Sequence, residues 1–237
     1  MRKSLFGGAA ALTLLLASPI YAGFATSAVG ANGGSAALVS PPSSALGDVS
    51  TAYQVWNESS GTLSSSVSLE NNGAVGAYSG VSPGTSTTLT SGTPYGTTFI
   101  QLNPGIDGTV NSGQAIINFS SKIIGIALSG TTGGVPGSLD NTDQYGAPGT
   151  TYPTGYTNPS NNRGIIGKTN DFFTIMNGGT ELEVHLTAQF DGFKELRVFT
   201  AGGSASGVPE PASLAVWSLL GTVLVGGSFW RRQRPAV

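Results

Sequence analysis

Phe172-Phe173-Thr174-Ile175-Met176, then Asn177-Gly178-Gly179-Thr180, then Glu181-Leu182-Glu183-Val184-His185-Leu186, is the stretch that decides the fold class. Its second run alternates, apolar at 182, 184 and 186 and polar at 181, 183 and 185, which is the two-residue period of a strand with one buried face. Asn-Gly between two such runs supplies the left-handed backbone that a tight hairpin needs. The stretch predicts an antiparallel hairpin, with Leu182, Val184 and Leu186 facing a core and Glu181, Glu183, His185 and Thr187 facing out.

The same reading extends to both sides. Downstream, Glu195-Leu196-Arg197-Val198-Phe199-Thr200 predicts a closing strand with the same alternation. Upstream, Gln114 to Phe119 and Ile123 to Ser129, separated by Ser120-Ser121-Lys122, predict a hairpin of buried strands, and Thr97 to Leu102 ends at the turn signature Asn103-Pro104-Gly105. Tyr53-Gln54-Val55-Trp56 and Leu63 to Leu69, with Gly61 between them, are expected to pair with each other. Residues 71–96 read as a long surface connection holding short pieces such as Ser86 to Leu89, and residues 23–47 as a lead-in with one edge strand. Seven or more short strands with turn signals between them, and no helix-period segment, predict an all-β domain over 23–200. Its architecture is expected to be an antiparallel β-sandwich, of which a jelly roll is one form.

Composition restricts the chemistry. The 237 residues contain 36 glycines and no cysteine, which removes disulfides, thiol catalysis, thiolate metal sites and lipid attachment through a cysteine. Charged residues make up only 9% of the chain. Residues 23–207 hold five basic against eleven acidic side chains, a net charge of −6. So few cations exclude nucleic acid and anionic membrane surfaces as partners of this region.

The two ends read as signals. Arg2 and Lys3 precede the apolar run Leu5 to Ala17, and Ser18-Pro19-Ile20-Tyr21-Ala22 places a helix breaker before a cleavage-like small residue, the pattern of a secretory signal peptide over 1–22. At the other end, Gly202 to Gly207 reads as a flexible linker, within an expected linker segment 201–207. Ala212 to Trp230 follows, without a charge, long enough as a helix to span a bilayer once. Arg231, Arg232 and Arg234 come directly after it, so the positive-inside rule puts that end in the cytoplasm and residues 23–207 outside. Before the span, Pro209 and Pro211 hold Glu210 in extended, accessible backbone.

Pro209-Glu210-Pro211, an apolar span and a short arginine cluster over 208–237 resemble the PEP-CTERM sorting signal of exported bacterial proteins. The resemblance implies recognition by an exosortase, a membrane-embedded cysteine transpeptidase, after export by the general secretion machinery. It also implies cleavage near Pro209-Glu210-Pro211 and transfer or release of the ectodomain to the cell surface or extracellular polysaccharide, which makes the membrane anchor transient. A permanent single-span anchor is the alternative the tail leaves open. The segment Asp140 to Arg163 also resembles one that recurs in ectodomains carrying this tail, without implying an activity.

Between the signals the candidate chemistry is sparse. Gly164-Ile165-Ile166-Gly167-Lys168-Thr169 has Asn162 where a phosphate loop needs glycine and a predicted strand where it needs a helix, so it reads as a turn. His185 is the one histidine, and no G-x-S-x-G elbow accompanies it for a catalytic triad. Glu181, Glu183 and His185 share a strand face about 7 Å apart, which suits a polar outer face better than one metal ion. Residues 130–164 form the longest irregular region, where a site is most expected. Within it Asp140 and Asp143 offer oxygen ligands to a hard cation but lack the spacing of the established calcium loop, and a solvated turn explains them as well. Tyr145, Tyr152 and Tyr156 offer aromatic platforms to sugar rings, with packing of the loop as the alternative. The expectation is a non-enzymatic surface or matrix protein without a cofactor. A carbohydrate-binding module is the rival, and a glycan hydrolase pairing Glu181 with Asp191 or Glu195 a further one.

Overall fold

A computed structural model of the chain describes residues 20–21, 23–45, 50–103, 113–130, 135–153, 163–165, 170–187 and 194–204. They form fourteen strands and one short helix. The first nine strands are β1 (Ile20–Tyr21), β2 (Ala25–Ala31), β3 (Ala36–Leu38), β4 (Ser50–Thr62), β5 (Val67–Leu69), β6 (Gly76–Ser79), β7 (Thr87–Leu89), β8 (Pro94–Asn103) and β9 (Gln114–Phe119). They are followed by β10 (Ile123–Ala127), helix α1 (Ser138–Thr142), β11 (Phe172–Met176), β12 (Glu181–His185), β13 (Lys194–Ala201) and β14 (Gly203–Ser204).

Two five-stranded sheets carry the fold. Sheet I has the order β10-β13-β8-β4-β3 and sheet II the order β2-β9-β12-β11-β6. All pairings in them are antiparallel except that of β3 with β4, which is parallel. The domain is therefore all-β, as expected. The predicted hairpin is present: Met176 opposes Glu181 and Phe172 opposes His185. Asn177 and Gly178 both have positive φ, 50° and 69°, which is the backbone that Asn-Gly supplies most easily. Leu182, Val184 and Leu186 are fully buried, and Glu181, Glu183 and His185 lie on the outer face.

Two expected pairings and two expected boundaries are corrected. Gln114–Phe119 and Ile123–Ala127 do not pair with each other; β9 joins sheet II beside β12, and β10 joins sheet I beside β13. The corner Ser120-Ser121-Lys122 thus carries the chain from one sheet to the other. Tyr53–Trp56 is part of a thirteen-residue strand that runs through Gly61 and pairs with β8 and β3, while β5 pairs with β7. The lead-in holds two edge strands, β2 and β3, one for each sheet. The expected linker also begins later: Ala201 ends β13, and Gly203–Ser204 pairs with β1. Residues 1–19 and 205–237 lie outside the described residues, and with them the sorting motif, the membrane span and all of the expected signal peptide but its end, of which Ile20–Tyr21 forms β1. Among the described residues no helix is long and apolar enough to cross a membrane.

Sheet I is covered on both faces. On one face Tyr53, Val55, Ile100, Leu102, Leu196 and Val198 meet Ala115, Ile117, Phe173, Ile175, Leu182 and Val184 of sheet II. On the other, Trp56, Tyr95, Phe99 and Phe199 form a second core with Leu63, Leu69, Leu139, Tyr145 and Tyr152 from β5, α1 and the loops. This is why β8 and β13 are buried at almost every position, and why the expected half-exposed alternation of Glu195 to Thr200 does not occur. Burying each of these large rings contributes about 1.5–3 kcal/mol.

Backbone geometry gives a test of this packing. Gly73 and Gly92 both have positive φ, 72° and 88°. A Cβ at Gly92 meets nothing within 4 Å, whereas one at Gly73 lies 2.4 Å from the Ile123 carbonyl oxygen. Gly92→Ala is expected to lower stability by about 1 kcal/mol through φ strain alone. Gly73→Ala should lower it by about 3 kcal/mol, because backbone must also move. Thermal melts of the two variants check this; equal shifts would contradict the close approach of residue 73 to β10.

Candidate functional site

The loop region expected to hold a site does bring its residues together, but inside the protein. β13 turns Glu195, Arg197 and Phe199 toward the second core, and β4 turns Glu58 toward the same space. Above them lie α1, a single 3-10 turn at Asp143–Tyr145, and Arg163. The Arg197 guanidinium is fully buried and forms a bidentate pair with Glu58, Nε to Oε2 at 2.7 Å and Nη2 to Oε1 at 2.9 Å. Its Nη1 donates to Thr142 Oγ1 at 2.8 Å, to Asp143 Oδ1 at 3.0 Å and to the Leu139 carbonyl at 3.2 Å. Arg163, only 3% exposed, donates from Nε to Glu195 Oε2 at 2.6 Å, from Nη1 to Asp140 Oδ1 at 3.0 Å, and from both terminal nitrogens to Asp143 at 2.6 and 2.7 Å.

Two aromatic rings complete the cluster. The Arg197 guanidinium carbon lies 5.0 Å from the Phe99 centroid and 4.8 Å from that of Tyr152, and Arg163 lies 5.9 and 5.8 Å from the same rings. Tyr152 donates its hydroxyl proton to Glu58 and accepts the Ala147 amide at 3.0 Å. Burial and the Glu58 charge push its phenol up to about 12. Burial disfavours the charged guanidinium of each arginine, yet Glu195 and Asp143 around Arg163, and Glu58 around Arg197, raise both above the ordinary arginine value. Glu195 goes the other way from most paired carboxylates: burial pushes it up to about 7 against the opposing pull of Arg163, and its Oε1 has no hydrogen-bond partner.

This geometry decides several sequence expectations. Tyr145 and Tyr152 are 4% and 7% exposed, so their rings pack against protein and offer no platform to a sugar. Tyr145 meets Tyr95 edge-on at 5.2 Å. Asp140 and Asp143 face arginine, and a guanidinium occupies the space a cation would need. Glu195 lies in the second core and Glu181 on the outer face of sheet II, so both sheets separate the carboxylates proposed as a hydrolytic pair. Glu181 instead accepts a hydrogen bond from Asn177 Nδ2 at 2.7 Å. Among the described residues no three His, Asp or Glu side chains stand together to hold a metal ion. Tyr156, Lys168 and Asp191 lie outside the described residues, as do Pro209, Glu210, Pro211, Arg231, Arg232 and Arg234.

Two surface features were not anticipated. Glu70 accepts hydrogen bonds from Ser129 Oγ and Ser138 Oγ and from the Leu128 amide at 3.0 Å, and lines a polar groove of about 320 Å³ with Ser68, Ser86 and Asn141. On the outer face of sheet II, Phe172 stacks on His185 beside a recess of about 290 Å³ lined by Ala77, Tyr78, Ser79 and Ser82. The second was legible in principle: adjacent residues on a strand point to opposite faces, so with Phe173 in the core, Phe172 must emerge. No protein-family model, curated protein or solved structure matches this chain.

The titration of Glu195 is testable. A folded-state value near 7 against an ordinary 4.5 means that protonation favours the folded protein. Its contribution is complete below about 4.5 and is lost as pH rises through about 7. The melting temperature of the wild type relative to Glu195→Gln should therefore fall between pH 4.5 and 7 and level off above. Parallel curves for the two proteins would contradict a Glu195 that keeps its proton above pH 4.5 in the folded state.

Proposed function

We propose that this chain is an exported, exosortase-sorted surface or extracellular-matrix protein that works without catalysis and associates with extracellular polysaccharide. The observation that carries the reading is the order of its last thirty residues: Pro209-Glu210-Pro211, an uncharged run from Ala212 to Trp230, then Arg231, Arg232 and Arg234. Arg2, Lys3 and the apolar run after them are the matching export signal. In this reading the general secretion machinery exports the chain, and the 212–230 helix halts it in the inner membrane with residues 23–207 outside. Exosortase then cuts near Pro209-Glu210-Pro211.

The properties of the β domain are compatible with that destination. It has no cysteine whose oxidation state would matter outside the cell, and its arginine charges within the described residues are internally neutralised. Its ionisable cluster is engaged in holding loops to a sheet. The two-sheet domain is read as a structural module, a jelly-roll-like sandwich in which the chain changes sheet from β8 to β9, β9 to β10 and β10 to β11.

The intact mass of the mature protein from its native host, with and without the exosortase gene, tests the proposal. A mass that begins near residue 23 and ends between residues 208 and 211 only when the enzyme is present is the expected result. A mass running to Val237 in both strains would overturn sorting and leave a membrane-anchored ectodomain.

A further inference from the structure

We propose that the outer face of sheet II binds a neutral polysaccharide, one sugar unit of which stacks on Phe172 in the recess against the edge strand β6. The inference rests on the reading of the chain as a matrix protein for the setting in which it meets a polymer. The class of polymer follows from the recess and its surroundings.

The Phe172 ring is 37% exposed and is the one aromatic among the exposed large apolar side chains of the described residues. One of its faces is fixed: the His185 ring lies parallel to it, 4.4 Å between centroids and 13° between planes, and His185 Nδ1 is itself 3.2 Å from the Asn170 carbonyl. In the sheet register Phe172 stands between His185 on β12 and Ser79 on β6, so its second face looks toward β6. There the recess of about 290 Å³ opens, with Ala77, Ser79 and Ser82 around it. The outward side chains of β6, Ala77 and Ser79, are small and leave the ring face uncovered, while the Tyr78 ring turns in against Phe173. A ring held in place before binding loses little conformational freedom when a ligand stacks on it. The C–H face of a pyranose suits such a ring, and its hydroxyls suit the serines alongside.

The volume is at the lower end of small-molecule pockets, so it accommodates a single ring-sized unit and leaves the rest of a ligand to lie along the sheet. The next residues in that cross-strand row are His185 and Gln114, and Gln114 is hydrogen-bonded to Asn32. Imidazole and amide groups continue the path across β12 and β9. Charge selects the polymer. The five strands of sheet II carry Glu181 and Glu183 and no lysine or arginine, and residues 23–207 have a net charge of −6. A uronic-acid or sulfated polymer would meet like charge, whereas a neutral glycan meets none.

The test uses the full chain in native gels cast with hydroxyethylcellulose, mixed-linkage β-glucan, dextran or polygalacturonate. At least one neutral polymer is expected to retard the protein, and polygalacturonate is not. Phe172→Ala should weaken the retardation about tenfold, the loss of one aromatic stack. Ala77→Leu, which fills the recess and leaves the ring in place, should weaken it similarly. Both variants should melt as the wild type does. Absence of retardation in every neutral polymer, stronger retardation by polygalacturonate, or unchanged retardation of both variants would overturn the proposal. A correctly sorted protein that binds no neutral polymer would sink this surface and leave the sorting proposal standing. Retardation by a protein whose mass runs to Val237 would do the reverse.

Discussion

The paired guanidinium of Arg197, fully buried and bidentate to Glu58, is the interaction on which the rest of the domain depends. It sits where a glycine-rich layer of loops must adhere to the second face of sheet I. Loops rich in glycine lose much conformational entropy on ordering and have few apolar side chains with which to offset it. Arg197 meets this need by holding the Leu139 carbonyl, Thr142 and Asp143 at once, while Arg163 holds Asp140, Asp143 and Glu195. The two arginines share Asp143 and lie against the same two rings, so neither pair is independent of the other.

A buried cluster of this kind is costly to assemble and more costly to break. Each charge loses its hydration, and the mutual attraction repays that only when every donor is used. Removing one member leaves its partners charged and unpaired, which costs about 3–5 kcal/mol. Glu195 shows where the arrangement is least complete: its Oε1 lacks a partner, and its carboxyl is driven toward neutrality near pH 7. Lys194 and Asp171 form a separate pair of the same type, 3.2 Å apart. Three of the five cations in residues 23–207 are thus buried, so the surface of the domain is left mainly to serine, threonine, asparagine and carboxylates. Neutral polar groups, carboxylates, scattered aliphatic side chains and the Phe172 ring are thus what the described surface offers a partner.

How much of this was legible depended on the distance over which each signal acts. Local patterns were readable: alternation at 181–186 and Asn177-Gly178 fixed a hairpin with the correct inward face. Topology was less so. The runs 114–119 and 123–127 are both apolar and lie three residues apart, which is as consistent with a corner between sheets as with a hairpin, and only the full set of partners distinguishes them. The fate of Tyr145, Tyr152, Asp140 and Asp143 was hidden for a related reason. Their partners, Tyr95 and Phe199 for Tyr145 and Glu58, Arg163 and Arg197 for the other three, are mostly distant in sequence. One signal was present and unused: Arg197 lies in the otherwise apolar run Leu196 to Phe199, and an arginine placed so in a chain with few charges implies a buried acidic partner.

Hydrogen exchange of individual amides, comparing the wild type with Arg197→Met, tests the role of the cluster most directly. Methionine keeps much of the buried volume and removes every donor. The loop amides of Leu139, Asn141, Gly146 and Thr151, which are hydrogen-bonded in the native protein, should then exchange faster by about tenfold or more, while those of β11 and β12 keep their protection. Equal acceleration of all amides would show that the cluster stabilises the domain only as a whole. No acceleration at the loop amides would show that the loops hold to the sheet without it.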